Sequence, residues 1–186
     1  MASIDIGAGA ISGPGVNSGD DTFLDKTNPA NGTGSLDVAK IYPDETLSTA
    51  TIATFYTDGG PTTFSARDRA VIGSVTGGAA RTFSGLSIDV VTDDVLGLYS
   101  TGNMKYNVTG GLGVYFVANS DATASSAVEF SRWNTSYKYS IYATGATTPP
   151  ATSIKAVNGV AYADIKAING VAIGDIKSFN GVSNVA

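Results

Sequence analysis

Carboxylates in turn-like settings are the first residues of this sequence with chemistry to offer. They occur as adjacent pairs at Asp20–Asp21 and Asp93–Asp94, with Asp44–Glu45 and Asp58 elsewhere. Calcium collects about six to eight oxygen ligands and readily takes them from acidic loops. Asp20, Asp21, Asp93 and Asp94 are therefore candidate calcium ligands, although no EF-hand spacing is present. The competing reading is solvated turn carboxylates, with Asp94 bonding to nearby backbone where a strand begins. Glycoside hydrolysis needs two carboxyls facing each other, about 5–9.5 Å apart. Asp89 and Glu129 lie on strand-like runs, but alternation sends both outward, where a carboxylate serves solubility. The aromatic residues say more. Trp133, Tyr137, Tyr139 and Tyr142 cluster late in the chain, with Tyr106 and Tyr115 earlier. Flat rings stack on sugar faces, so Trp133, Tyr137 and Tyr139 are candidate glycan contacts; packing in a core or an interface is the alternative. The chain has no His and no Cys. That removes the Ser-His-Asp triad, imidazole bases, thiolate metal sites and a cysteine nucleophile. The expectation is a protein that is not an enzyme and needs no cofactor, calcium being the one candidate.

The charge balance narrows the partners. The 186 residues carry a net charge of −5 with only 15% charged residues. A Lys/Arg surplus that could displace counterions from a phosphate backbone is missing, so nucleic acid is not an expected partner. No apolar run approaches the roughly 20 residues that span a bilayer, so membrane insertion is not expected. The start, MASIDIGAGA, lacks a basic segment and a continuous apolar one, and does not read as a classical signal peptide. With 42% hydrophobic residues the chain can bury a sizeable core without metals or crosslinks.

The elements that must hold these side chains are short strands. Residues 1–34 are rich in Gly, Asn, Asp and Ser and read as an extended, turn-rich segment, with 3–8 as a candidate first strand around Ile4-Asp5-Ile6. From 35 to 143 the sequence runs in β-like stretches between turn signals. These are Leu36–Tyr42, Ala50–Tyr56, Thr62–Ala66, Ala70–Val75, Leu86–Val91, Val95–Tyr99, Met104–Val108, Gly113–Ala118, Ala127–Ser131 and Tyr137–Tyr142. They favour Val, Ile, Thr, Tyr and Phe, which suit a half-buried pleated surface. Leu86, Ile88 and Val90 alternate with Ser87 and Asp89; Tyr137, Tyr139 and Ile141 alternate with Lys138 and Ser140. Period two with one wet face predicts antiparallel strands, and no capped amphipathic helix is visible. The fold class expected is all-β: a jelly-roll-like antiparallel β-sandwich over 35–143, with a short C-terminal β-repeat tail. Residues 144–153, with two successive prolines, read as a linker.

The tail, 154–186, contains an internal repeat. Ile154–Val160, Ile165–Val171 and Ile176–Val182 align at a period of 11 as Ile-Lys-x-x-Asn-Gly-Val. Asn-Gly between apolar residues is the strongest short hairpin signal, because a type I′ turn wants positive φ at both central positions. Each unit offers about four apolar side chains against the backbone entropy of ordering 11 residues, so a lone unit is marginal. It needs a surface to lean on. Ile154, Val157, Val160, Ile165, Ile168, Val171, Ile176, Phe179 and Val182 are the candidate oligomerisation residues; the alternative is a meander folded on its own domain. Lys155, Lys166 and Lys177 oppose uncontrolled edge-to-edge growth.

Several segments resemble a known group. Thr22–Gly34, Ala53–Tyr56, Ser65–Asp68, Ile72–Val75, Arg81–Gly85 and Asp93–Tyr99 are similar to β-sandwich proteins of little-known function met in phage genomes and environmental sequence. The Asn-Gly-Val repeat resembles tails on phage and bacterial structural proteins. The resemblance implies a structural protein that is virion-associated (a decoration, fibre or tail part) or that forms an extracellular filament. It implies copies of the same chain, and a capsid or tail protein, as partners. It supplies no catalytic residues. The rival expectation is a carbohydrate-binding sandwich module that attaches to a surface through glycan.

Overall fold

The computed structural model describes residues 2–147 and, within the repeat, the backbone of 156–157, 160–161, 167–168, 171–172, 178–179 and 182–183. Two compact units result, Met1–Thr147 and Thr148–Ala186. The first unit contains β1 (Ser3–Gly7), β2 (Gly15–Val16), β3 (Asp21–Asp25), β4 (Gly34–Ile41), β5 (Ala50–Thr57), β6 (Thr63–Val71) and β7 (Arg81–Val90). It continues with β8 (Val95–Ser100), β9 (Lys105–Asn107), β10 (Val114–Val117), β11 (Val128–Glu129), β12 (Ser131–Asn134), β13 (Lys138–Tyr139) and β14 (Ile141–Thr147). These strands form a four-stranded sheet, β1-β14-β4-β7, a seven-stranded sheet, β11-β6-β5-β8-β3-β10-β12, and a small sheet, β13-β9-β2. The fold is an all-β antiparallel sandwich, as the alternating pattern predicts.

Two apolar clusters hold it together. The larger joins Ile4, Ile6, Leu36, Ile41 and Ile88 of the four-stranded sheet to Phe23, Ile52, Leu96 and Leu98 of the seven-stranded one. The smaller contains Leu24, Phe55, Phe64, Val95, Tyr115 and Phe130. Phe23 and Leu24 are neighbours on β3 yet fall in different clusters, so this strand is buried on both faces. The segment 118–130 joins the second cluster through Ala122 and Phe130. It is tied down by hydrogen bonds: Thr22 Oγ1 donates to the Ser120 carbonyl (2.7 Å), and the Ala127 N–H donates to Ser65 Oγ (2.7 Å).

Side chains stitch the two large sheets at one margin. The Arg67 guanidinium on β6 holds Asp94 in a bidentate pair at 2.5 and 3.0 Å, and Asp94 also accepts the Val91 N–H at 2.8 Å. The Asp89 N–H on β7 donates to Asp68 (2.8 Å), while Thr54 on β5 donates to the Asp89 carbonyl (2.7 Å). At the far edge, β1 pairs with β14 of its own chain from Ser3↔Ala146 to Gly7↔Tyr142. Its free side is closed by Asn31 Oδ1 and the Asn28 carbonyl.

Several expectations are corrected. Residues 1–34 are not merely a turn-rich extension, because β3 lies inside the seven-stranded sheet between β8 and β10. Its sequence, Asp-Thr-Phe-Leu-Asp, carries no alternation because neither face is wet. The run 62–66 continues through Arg67, Asp68 and Arg69 into the first two residues of the run 70–75 as one strand, β6, which ends at Val71. Residues 131–134, which fall between the expected runs ending at Ser131 and starting at Tyr137, form β12. The run 137–142 breaks at Ser140, which is buried and donates through Oγ to the Ile11 carbonyl (2.8 Å). Residues 144–147 of the expected linker belong to β14, held there by pairing with β4; 148–153 lie outside the described residues.

The repeat, described by itself, forms β15 (Ala156–Val157), β16 (Val160–Ala161), β17 (Ala167–Ile168), β18 (Val171–Ala172), β19 (Ser178–Phe179) and β20 (Val182–Ser183). They pair as three antiparallel two-stranded sheets with Val157↔Val160, Ile168↔Val171 and Phe179↔Val182 opposite one another. These antiparallel pairs flank the Asn-Gly positions as the repeat predicts; the Asn-Gly residues themselves lie outside the described residues.

Candidate functional site

The late aromatic residues converge with two earlier ones that sequence reasoning did not single out, Phe23 and Phe116. The sheet explains the meeting. β3, β10 and β12 are adjacent, and Phe116 lies opposite Phe23 in the register. Between β10 and β12 the register shifts: Val114 faces Asn134 and Tyr115 faces Arg132. Trp133 is therefore the extra residue of a bulge. A bulge re-aims its side chain, and here Trp133 packs against the larger core, 5.3 Å from Phe23 between ring centroids. Phe23 itself is stacked with Tyr139 (4.8 Å) and with Phe116 (5.8 Å).

The small sheet brings the remaining rings. Tyr106 on β9 pairs with Gly15 on β2 and with Tyr139 on β13. A Cβ at Gly15 would collide with the Tyr106 ring, so glycine is required for the ring to lie over that strand. Tyr106 also stacks with Tyr137 (4.9 Å) and meets Trp133 edge to face (4.6 Å). Burial raises the Tyr106 hydroxyl's pKa, with Tyr137 contributing.

Beside these rings runs the chain from β2 into β3. Asn17 is buried and fully engaged. Its Oδ1 accepts the Met104 N–H (2.5 Å), and its Nδ2 donates to the Ser18 carbonyl (2.8 Å) and to the Tyr139 hydroxyl (3.1 Å). Asp21 accepts the Asn119 N–H on Oδ1 at 2.9 Å. Its Oδ2 has only the Ser18 hydroxyl, at 3.5 Å, which is the outer limit of a hydrogen bond. A cavity of about 190 Å³ opens here, lined by Asn17, Ser18, Asp21, Phe23, Phe116 and Trp133. Its lining combines three aromatic rings with a carboxylate, a hydroxyl and an amide.

Of the candidate glycan contacts, Trp133 lines the cavity and Tyr137 packs edge to face against it (5.4 Å). Tyr139 is a correction. It is completely buried, and burial pushes its hydroxyl's pKa upward, so it packs beneath Phe23 rather than touching a ligand. The candidate calcium ligands do not converge. Antiparallel pairing of β3 with β8 sets Asp20 and Asp21 at one end, beside Ser100, and Asp93 and Asp94 at the other, before Val95. Asp94 is committed to Arg67 and the Val91 N–H, the backbone role the turn reading expects. Among the described residues no three His, Cys, Asp or Glu side chains group as metal ligands would. Asp89 and Glu129 are both exposed, as alternation predicts. Of the candidate oligomerisation residues, Val157, Val160, Ile168, Val171, Phe179 and Val182 are hairpin strand residues. Ile154, Ile165 and Ile176 lie outside the described residues.

The fold and cavity define an antiparallel β-sandwich with an aromatic-walled pocket and a C-terminal hairpin repeat. No protein-family model matches the chain, and no curated protein matches it. Among the described residues no helix is long and apolar enough to cross a membrane.

Proposed function

We propose that this chain is a non-enzymatic structural subunit that assembles with copies of itself. In this reading it contributes to a virion part, as decoration, fibre or tail component, or to an extracellular filament. The sandwich is the rigid body and the repeat sets the register of assembly. The observation that carries the reading is the recurrence of one hairpin at an 11-residue interval, with Val157↔Val160, Ile168↔Val171 and Phe179↔Val182 in equivalent pairing. A two-stranded hairpin is at best marginal alone in water, so three equivalent ones need a further surface to cover them, which copies of the same chain would supply. Deleting 150–186 is expected to leave a folded species of smaller assembly size by light scattering. Equal sizes for the truncated and full chains would overturn the proposal.

A second reading is a sandwich module that attaches to surfaces by holding glycan. The cavity lined by Trp133 and Asp21 favours it, because aromatic and hydrogen-bonding groups line it together. The two readings are compatible: a subunit can assemble through its tail and attach through its sandwich.

A further inference from the structure

We propose that the cavity between Trp133 and Asp21 is a subsite for a single neutral pyranose ring, and that it discriminates against acidic sugars. The inference rests on the attachment reading and adds the class of sugar to it. Size comes first. At about 190 Å³ the cavity is smaller than the roughly 300–1,000 Å³ pockets that enclose drug-sized ligands. It has room for one ring, with the rest of the ligand left outside.

The lining then specifies the chemistry. Phe23 is stacked with both Tyr139 and Phe116, which leaves little of its face for a ligand. Trp133 and Phe116 are both half-buried and supply the accessible aromatic surface. A partly exposed aromatic surface suits the apolar C–H face of a pyranose. It is less than the enclosure of several ring faces that recognises a quaternary ammonium. Among the polar lining residues Asn17 has every polar atom engaged, so it shapes the cavity without donating to an occupant. Asp21 Oδ2 is the free acceptor, and the exposed Ser18 hydroxyl lies beside it. A carboxylate accepts only, so the ligand must donate. Sugar hydroxyls donate. A uronate or another acidic sugar would bring a second negative charge against a carboxylate that is 7% exposed, where repulsion is weakly screened.

Trp133 is the single tryptophan of the chain, so its emission reports this site without background. The full chain would be titrated with methyl glycosides of neutral hexoses, with glucuronate, and with choline. The expected result is a saturable change in emission with at least one neutral hexoside and at least tenfold weaker binding of glucuronate. Asp21→Asn is expected to bring the two sugars to within a few fold of each other. Should that variant fail to fold, Ser18→Tyr at the exposed rim is expected to close the site and abolish the signal. If no hexoside binds, the attachment reading fails and this inference with it. If glucuronate binds as tightly as the hexosides, the attachment reading stands and the charge selection is refuted. Binding of choline alone would reassign the cavity to a cation.

Discussion

Asp25 closes β3 with no exposed surface at all, and two effects compete over its charge. Its Oδ1 accepts the Thr27 N–H at 2.7 Å and its Oδ2 accepts the Tyr139 N–H at 2.6 Å. Both bonds favour the carboxylate, as does the charge of Lys138. Burial opposes them and wins, so the carboxyl's pKa is pushed up from the ordinary 3.8 to about 6. The folded state then binds a proton that the unfolded chain has already released. The stabilisation is fully present below pH 3.8 and is lost as pH rises through about 6. At about 1.36 kcal/mol per pH unit, the gap corresponds to about 3 kcal/mol.

Asp25→Asn removes the titration and keeps the shape. One backbone N–H then faces an amide NH₂, which costs about 1–3 kcal/mol at every pH and does not affect the slope. Urea unfolding of both proteins from pH 3.5 to 8, at one fixed concentration, gives the test. Other carboxylates titrate in both proteins and cancel in the difference. The stability of the parent relative to the variant is expected to fall by about 3 kcal/mol across that range, mostly between pH 4 and 6. A flat difference refutes the reasoning. A difference that grows with pH would mean that the Thr27 and Tyr139 N–H groups outweigh burial and that the carboxyl's pKa is depressed.

Asp94→Ala removes the anchor of the β7–β8 turn and leaves Arg67 and the Val91 N–H without their acceptor; it is expected to cost about 2–4 kcal/mol by urea unfolding. A loss under 1 kcal/mol would show that the pair is no stronger than a surface ion pair. Gly15→Ala pushes a methyl group into the Tyr106 ring, so the near-UV circular dichroism of the Trp133–Tyr106–Tyr137 cluster is expected to collapse while far-UV strand content stays. An unchanged near-UV spectrum would show that the ring does not lie over Gly15.

Where a strand has one dry face and one wet face, its residues announce it. Ala50–Tyr56 and Val95–Tyr99 are recovered within one residue as β5 and β8, and Ile88 and Val90 are buried with Asp89 exposed between them. The tail hairpins are legible for another reason: Asn-Gly is a local signal that depends on backbone angles and not on what covers the strand. β3 fails on both counts. Every residue from Asp21 to Asp25 is buried, and the aspartates that look like turn residues serve the fold instead. Asp21 holds the Asn119 N–H, and Asp25 holds those of Thr27 and Tyr139. Buried carboxylates that accept backbone N–H groups cannot be told from solvated turn carboxylates by their spacing.

The cavity was half legible, and the missing half depends on one residue of register. Trp133, in a context of Ser, Arg, Asn and Thr, reads as part of a turn. It becomes a wall of the site because it is unpaired between Arg132↔Tyr115 and Asn134↔Val114. Period-two reasoning places side chains by counting, and a bulge shifts the count by one without leaving a mark in residue type. Phe23 and Phe116 are apolar residues like any other until β3 and β10 are aligned. The polar wall comes from Asn17, Ser18 and Asp21, at the end of a Gly-rich stretch whose path only the packing of β2 against β9 determines. Of the six lining residues only Asp21 and Trp133 are legible as candidates in the sequence, because the assembly of the site is a property of the sheet. A change that straightens the β10–β12 register should therefore disperse the cavity with every lining residue still in place.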